Sequence, residues 1–532
     1  MLPHAVCPVC RRTEDNMLKE VKTENGWVRG IPAADPRIIS FKGIPFAAPP
    51  VGDLRWRAPQ PAADWDGVRE CYTFAPMAMQ KRTDYDPSDP KKNEWNILED
   101  TPMSEDCLYL NVWTPARSAE DKLPVMLWIH GGAFNYGATC ECEFDGERIA
   151  RRGVVVVSIA YRLGLFAWLA HPDMKPAQEG GPNGNFGFLD QMMGMQWVQK
   201  NIAAFGGDPG SVTLFGQSAG AGSILAHLVS HRTRDLYHRV IVMSGGGIRE
   251  CNSVPNNTRA QQEAIGLKFQ QFLGCASFED MKKLDAETLL NKGAEFGAQP
   301  GAPRFPFMHF TDGWFLEKDW TEAQLENDRN MVPVMAGHTT NDFRWPPFGV
   351  NDMASLKEYA TRSFGDRADE YLKLVDFDKG DFAASMKKVC VPMQELGSAN
   401  WMEYNARMGN APIYGYTFDG DMPGDDQGAF HAADLWFVFE TLAKCWRPFT
   451  GKHYDLARKI CNYWVNFAKT GDPNGVDSDG TPLPEWKPYT LDNPYEIYFG
   501  DTIRMRDEQD PVVKFLVGYS LEWHKNNPVI SQ

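Results

Sequence analysis

The sequence predicts an α/β fold, a mostly parallel central sheet with helices on both faces. Short runs of β-branched and apolar residues alternate with longer helical patterns, and the runs are apolar at successive positions, as strands covered on both faces require. Glycine-containing turns follow several of the runs. Helical crossovers between buried strands are what a parallel sheet needs.

Taken in order, strands are expected at residues 125–129, 154–159, 212–215, 240–243, 332–336 and 413–418. Helices are expected at 187–201, 223–230 and 432–444. No internal repeat or long linker interrupts the pattern, so residues 21–532 read as one domain behind a flexible N-terminal tail, 1–20. In such sheets, chemistry gathers in the loops just past the C-terminal ends of the strands.

The chain has 532 residues, 43% of them hydrophobic and 12% aromatic, and a net charge of −16. That composition supports a large core and excludes disorder as the main state. No apolar run approaches the ~18 residues of a membrane span. The first 30 residues, with Cys7, Cys10, Arg11 and Arg12, contain no apolar signal segment, so a cytoplasmic location is expected. An acidic chain without a Lys/Arg-rich block is not expected to bind nucleic acid.

Eleven cysteines, few for this length and odd in number, read as reduced thiols. The Cys7 and Cys10 pair has no second pair at zinc-site distance and reads as part of the tail. Asn256 heads a glycosylation triplet that is inert in a cytoplasmic protein. The acid-rich stretch 84–106 reads as an exposed loop.

The strand at 212–215 runs into Gly216-Gln217-Ser218-Ala219-Gly220, and a helix follows. G-x-S-x-G between strand and helix makes a sharp turn in which flanking glycines leave room for a projecting serine hydroxyl. The helix N-terminus offers free amides to a developing oxyanion. A second loop, His130-Gly131-Gly132-Ala133-Phe134, follows the strand at 125–129. Its amides, with that of Ala219, suit an oxyanion hole, and His130 is expected to brace the loop without titrating in the reaction.

A serine nucleophile needs a base and a group that orients it, here in the order serine, acid, histidine. Asp342 is the only carboxylate in the loop after the strand at 332–336. Of the eleven histidines, His431, His453 and His524 lie beyond it. His431 follows the strand at 413–418 and precedes an apolar helical start, whereas His453 and His524 read as surface residues. Asp342 would accept the Nδ1 proton of His431 and stabilise the imidazolium.

These motifs resemble the type-B carboxylesterase/cholinesterase family of α/β-hydrolases, in its bacterial, p-nitrobenzyl-esterase-like form. The resemblance extends to Phe41-Lys42-Gly43-Ile44-Pro45-Phe46-Ala47-Ala48-Pro49-Pro50-Val51-Gly52 and to Ser104-Glu105-Asp106-Cys107-Leu108-Tyr109-Leu110-Asn111-Val112. It continues through Asn183-Gly184-Asn185-Phe186-Gly187 and Phe205-Gly206-Gly207-Asp208-Pro209, covering the chain from about Val21 toward the C-terminus. It implies an α/β-hydrolase fold, Ser218 as nucleophile, Asp342 as acid and His431 as base. It also implies Gly131, Gly132, Ala133 and Ala219 in the oxyanion hole, and Ser244 as a serine paired with the histidine.

Four positions depart from the family pattern. Asp342 stands where many relatives have glutamate, one methylene longer. Gln217 replaces a glutamate that would stabilise a cationic substrate or the imidazolium, which disfavours a cholinesterase. Cys107 matches half of a disulfide found in secreted relatives, but residues 76–80 contain no cysteine, leaving Cys71 as the alternative partner. Phe343 follows the acid where glycine is common.

Aromatic segments at 305–310 and 343–348 resemble the wall of the family's substrate gorge, and each ring can equally serve the core. Phe134, Phe307 and Trp345 are the pocket candidates. Asp419, Asp421, Asp425 and Asp426 lack the spacing of a calcium loop and are expected to form an acidic rim that disfavours anionic substrates. No HExxH or Walker A motif occurs, so neither metal nor cofactor is expected. The expected activity is hydrolysis of apolar acyl or aryl esters through an acyl-enzyme, on a small-molecule ester substrate. An amidase, lactonase or thioesterase on the same apparatus is the alternative, and a non-catalytic binding or adhesion homologue the reading from another class.

Overall fold

The computed structural model describes residues 17–82, 94, 97, 100–250, 257–303 and 305–527. Cys7, Cys10 and Asn256 lie outside the described residues, as do most of the acid-rich stretch and residues 1–16 of the expected tail. From residue 17 onward that tail differs from expectation. Met17 is buried in the core, and Glu20 opens a short strand, Glu20–Lys22, paired with Trp27–Arg29.

Among the described residues, eleven strands form the main sheet. In chain order they are β1 (Ile31–Pro32), β2 (Ile39–Pro45), β3 (Tyr109–Thr114), β4 (Leu123–Ile129), β5 (Val155–Ile159) and β6 (Gly207–Gln217). β7 (Arg239–Met243), β8 (Val334–Thr339), β9 (Ile413–Phe418), β10 (Ile497–Phe499) and β11 (Ile503–Met505) complete it. The spatial order is β11-β10-β9-β8-β7-β6-β4-β5-β3-β2-β1. Strands β10 through β5 in that order run parallel, and antiparallel strands flank them. All six expected strands are present, so the α/β architecture with a mostly parallel sheet holds.

Alternation along these strands divides two cores. Val125, Leu127 and Ile129 of β4 face one core with Val155, Val157 and Ile159 of β5, whereas Met126, Trp128, Val156 and Phe215 face the other. The first core is covered by helices α1 (Phe186–Asn201) and α2 (Ala219–Val229). Helices α3 (Met353–Phe364) and α4 (Ala368–Leu374) build a third cluster with the C-terminal α8 (Pro511–Asn526). Between them in sequence come α5 (Met393–Arg407), α6 (Leu435–Val438) and α7 (Gly451–Thr470), of which α6 and α7 cover the second core. Because strands are apolar on both faces, burial is the main force holding them between the helical layers.

The helix expected at 432–444 is confined to α6 and a 3₁₀ turn, Leu442–Lys444. Ala432 and Glu440 have φ of 72° and 54°, left-handed conformations that end a helix on either side. Conversely, α2 begins four residues before its expected start, because helix-weakening glycines at 220 and 222 hid its first turn. His453 and His524 are buried, not superficial. His453 Nδ1 accepts from the Thr450 amide at 2.8 Å at the head of α7, and His524 Nε2 meets the Arg249 carbonyl at 2.8 Å. Among the described residues no helix is long and apolar enough to cross a membrane.

Candidate active site

The C-terminal ends of the central strands converge on a cavity of about 800 Å³. Ser218 lies at the junction of β6 and α2 with φ 56° and ψ −122°, a strained conformation held by the hydrogen bond its N–H donates to the Met243 carbonyl at 2.9 Å. The flanking glycines are sterically required. A Cβ on Gly220 would stand 2.0 Å from the Ile129 carbonyl oxygen, and one on Gly216 2.8 Å from it. Packing of the elbow against the end of β4 thus projects the serine toward the cavity.

The loop after β4 closes on the same point. A Cβ on Gly131 would lie 2.7 Å from the Gln217 carbonyl and 3.2 Å from Ser218 Cβ. Gly132 has φ 105°, and Ala133 and Phe134 also take positive φ. Among the described residues the Gly132 and Ala133 amides meet no acceptor. Ala219, first in α2, carries a first-turn amide with no intrahelical partner. His130 is buried, stacks on Tyr161 at 4.5 Å and meets the Gly131 carbonyl through Nδ1 at 2.9 Å. Burial lowers its pKa to about 4, so it stays neutral and acts as a brace.

Acid and histidine are brought together by neighbouring strands β8 and β9. Beyond their ends, Asn341 and Phe430 form a bridge, and the Asn341 amide donates to the Ala429 carbonyl at 2.9 Å. One residue further along each segment, His431 Nδ1 donates to Asp342 Oδ1 at 2.6 Å. Burial pushes the Asp342 pKa up, but the His431 bond and charge, the Ser244 hydroxyl and the Phe343 amide at 2.7 Å outweigh it, and the pKa lies below its ordinary value. Asp342 therefore stays ionised, fit to orient the ring and balance an imidazolium.

Two neighbours of the ring are unexpected. Gln217 Nε2 donates to His431 Nε2 at 3.2 Å, so the side chain that replaces the family's glutamate occupies the lone pair that would serve Ser218. Phe343 lies against the imidazole, ring centroids 4.3 Å apart. Ser244, expected to pair with the histidine, instead turns its buried hydroxyl to the Asp342 side. Behind the dyad, Asp434 Oδ2 accepts from the Tyr416 hydroxyl at 2.9 Å, and burial raises its pKa to about 6.

Both expected aromatic segments reach the cavity through Phe305 and Phe343, but the three rings singled out do not. Phe134 is a core residue packed edge-on against Trp168 and Phe188, and Phe307 packs on Phe269 and Phe296. Trp345 is 60% exposed and does not line the cavity. Instead the wall holds Tyr136, Phe144, Phe305, Phe343 and Leu435, together with Glu141 and Glu143. Sequence spacing missed the last two, although the run Cys140-Glu141-Cys142-Glu143 within ten residues of the glycine loop was their signal.

The expected acidic rim is also dispersed. Asp425 binds Arg447, Asp421 binds Lys452 and His453, and Asp419 accepts from Thr340 and Tyr498. Cys71 and Cys107 are both free and buried.

Residues 18–511 match the model of the carboxylesterase family. Fumonisin B1 esterase of Sphingopyxis macrogoltabida is 32% identical over 493 residues, covering 89% of this chain and 86% of that protein. Acetylcholinesterase of Bungarus fasciatus is 30% identical, covering 89% and 82% respectively. A solved PNB esterase superimposes with a TM-score of 0.75 at 27% identity, over 94% of this chain and 99% of that one.

Proposed function

Because the chain belongs to the carboxylesterase family, and is thereby a carboxylic ester hydrolase with the α/β-hydrolase fold, we propose that it works through an acyl-enzyme on Ser218. The observation that carries this reading is the 2.6 Å bond between His431 Nδ1 and Asp342 Oδ1, on the wall of the cavity that Ser218 also lines. That bond fixes the tautomer in which Nε2 is the free base.

Substrate entry displaces the Gln217 amide from Nε2, and the imidazole then takes the Ser218 proton as Oγ attacks the ester carbonyl. The carbonyl oxygen, now anionic, accepts from the Gly132, Ala133 and Ala219 amides, while Gly131 lets the loop approach the elbow. His431 returns the proton to the departing alcohol. Water enters, loses a proton to His431 and attacks the acyl carbonyl, releasing the acid and restoring Ser218. The apolar and aromatic wall of Phe144, Phe305, Phe343 and Leu435 favours apolar acyl or aryl groups.

Labelling with a fluorophosphonate, wild type beside Ser218→Ala, tests the assignment. Label on the wild type and none on the variant is expected. Equal labelling of both, or none on a folded wild type, would refute the nucleophile.

A further inference from the structure

Glu141 and Glu143 enter the wall of the reaction cavity on the segment that follows the glycine loop, around the 3₁₀ turn Cys142–Phe144. Glu143 is 2% exposed, and its Oε1 meets no hydrogen-bond donor among the described residues. The Cys142 thiol reaches its Oε2 at 3.7 Å, and the Glu141 carboxyl lies within hydrogen-bond reach of the Glu143 carboxyl. Glu141 Oε1 accepts from the Ala138 amide at 2.7 Å, and no ion pair to a cation neutralises either carboxyl among the described residues. Two carboxyls side by side offer each other a donor only while they hold a proton between them, and a buried carboxyl lacking a partner costs about 1–3 kcal/mol or more. Such a cost in the wall of a substrate cavity is relieved when a bound molecule brings the missing donor.

We propose that Glu141 and Glu143 form a subsite for a protonated amine carried by the ester, away from its scissile carbonyl. This rests on the ester-hydrolase reading and names the substrate class of the same cavity. An ammonium supplies up to three N–H donors and the positive charge that the pair lacks, and charge-assisted bonds of this kind are the stronger ones. Tyr136 and Phe144 also line the cavity, and an aromatic lining is compatible with a bound cation.

The pair gives the preference a pH dependence. Burial raises the Glu141 pKa to about 7, and burial together with the Glu141 charge holds Glu143 well above the carboxylate range. Cys142 lies beside them on the same segment. Exposed Lys81 and Arg82 and the His431 ring also line the cavity, and Lys444 pairs with Asp145 just past the turn in sequence. As pH rises through about 7 the pair gains its first negative charge, while an alkylammonium remains protonated to about pH 10. Preference for the amine therefore grows with pH.

The test compares aminopentyl butyrate with its neutral analogue hexyl butyrate, following acid release, in the wild type and in Glu143→Gln. In the wild type the ratio of kcat/KM, ammonium ester over neutral ester, is expected to rise about tenfold between pH 6 and 8, and Glu143→Gln to lower the pH 8 ratio by about the same factor. A second readout needs no variant: butylammonium inhibits hexyl butyrate hydrolysis by the wild type competitively, with an inhibition constant that falls over the same pH range. A ratio that neither depends on pH nor responds to Glu143→Gln, or inhibition indifferent to pH, overturns the subsite while leaving the esterase standing. Failure of a folded wild type to hydrolyse either ester would instead strike the ester-hydrolase reading itself.

Discussion

One imidazole collects most of the site's constraints. His431 is held by Asp342 through Nδ1, touched by Gln217 at Nε2 and covered by the Phe343 ring. Replacing Asp342 with Asn offers the ring a donor where it needs an acceptor and selects the wrong tautomer. The expected result is a fall in kcat of roughly a thousandfold or more with KM little changed, read in steady-state kinetics. Gln217→Glu places a carboxylate beside the ring and favours its protonated form, whereas the reaction needs the neutral base. The acid limb of kcat/KM is thus expected to move about one pH unit upward, and an unmoved limb would separate Gln217 from the catalytic imidazole. The proposed serine, acid and histidine could be named from the sequence because Ser218, Asp342 and His431 each follow a recognisable strand. Of the pocket rings, Phe305 and Phe343 were legible as members of the two aromatic segments, whereas Phe134, Phe307 and Trp345 were not placed, since only the direction of each side chain decides between core and cavity.

The strand–elbow–helix unit of β6, Ser218 and α2 depends on backbone approach rather than side-chain chemistry. Ile129 at the end of β4 presents its carbonyl to Gly220 so closely that even a methyl group cannot be accommodated. Gly220→Ala is expected to destabilise the protein by about 3 kcal/mol and to abolish fluorophosphonate labelling; chemical denaturation beside labelling reads both. Full labelling with an unshifted midpoint would contradict the steric account. Six of the seven buried parallel strands were legible because they are apolar at successive positions; the three-residue β10 was too short to stand out. By contrast β2 and β3 were missed: they are antiparallel, and the register of β2 shifts between Phe41 and Ile44 around Lys42 and Gly43. Helix α6 was overextended because positive φ at Ala432 and Glu440 leaves no trace in apolar periodicity.

Across the whole molecule, contacts distant in sequence tie the layers together. Arg447 is buried and binds Glu94 through two bonds of 2.8 and 2.7 Å while also holding Asp425. Arg447→Met leaves buried carboxylates without their cation and is expected to cost about 3–5 kcal/mol in denaturant unfolding, far more than an exposed pair would. Asp434 gives a pH-dependent counterpart. Its folded pKa of about 6 lies above the ordinary carboxyl value, so the stability present at low pH is lost as pH rises through about 6. Asp434→Asn keeps an acceptor for Tyr416 and escapes that loss, so its melting temperature relative to wild type is expected to increase between about pH 4 and about pH 7. A constant difference would show that Asp434 titrates alike in the folded and unfolded protein, and that burial does not raise its pKa. Neither Arg447 nor Asp434 was marked by a motif, because their partners lie on separate segments of the chain. The architecture was legible since burial on both faces is a local pattern; the polar ties inside it are products of the assembled fold.

The central claim, an acyl-enzyme on Ser218 served by His431 and Asp342, is tested most directly by mass spectrometry of the protein quenched during turnover of p-nitrophenyl butyrate. The account predicts a burst of p-nitrophenol and a butyryl adduct on the peptide containing Ser218, both forming far more slowly in Asp342→Asn. Turnover without any adduct in either protein, or an adduct on another residue, would contradict it.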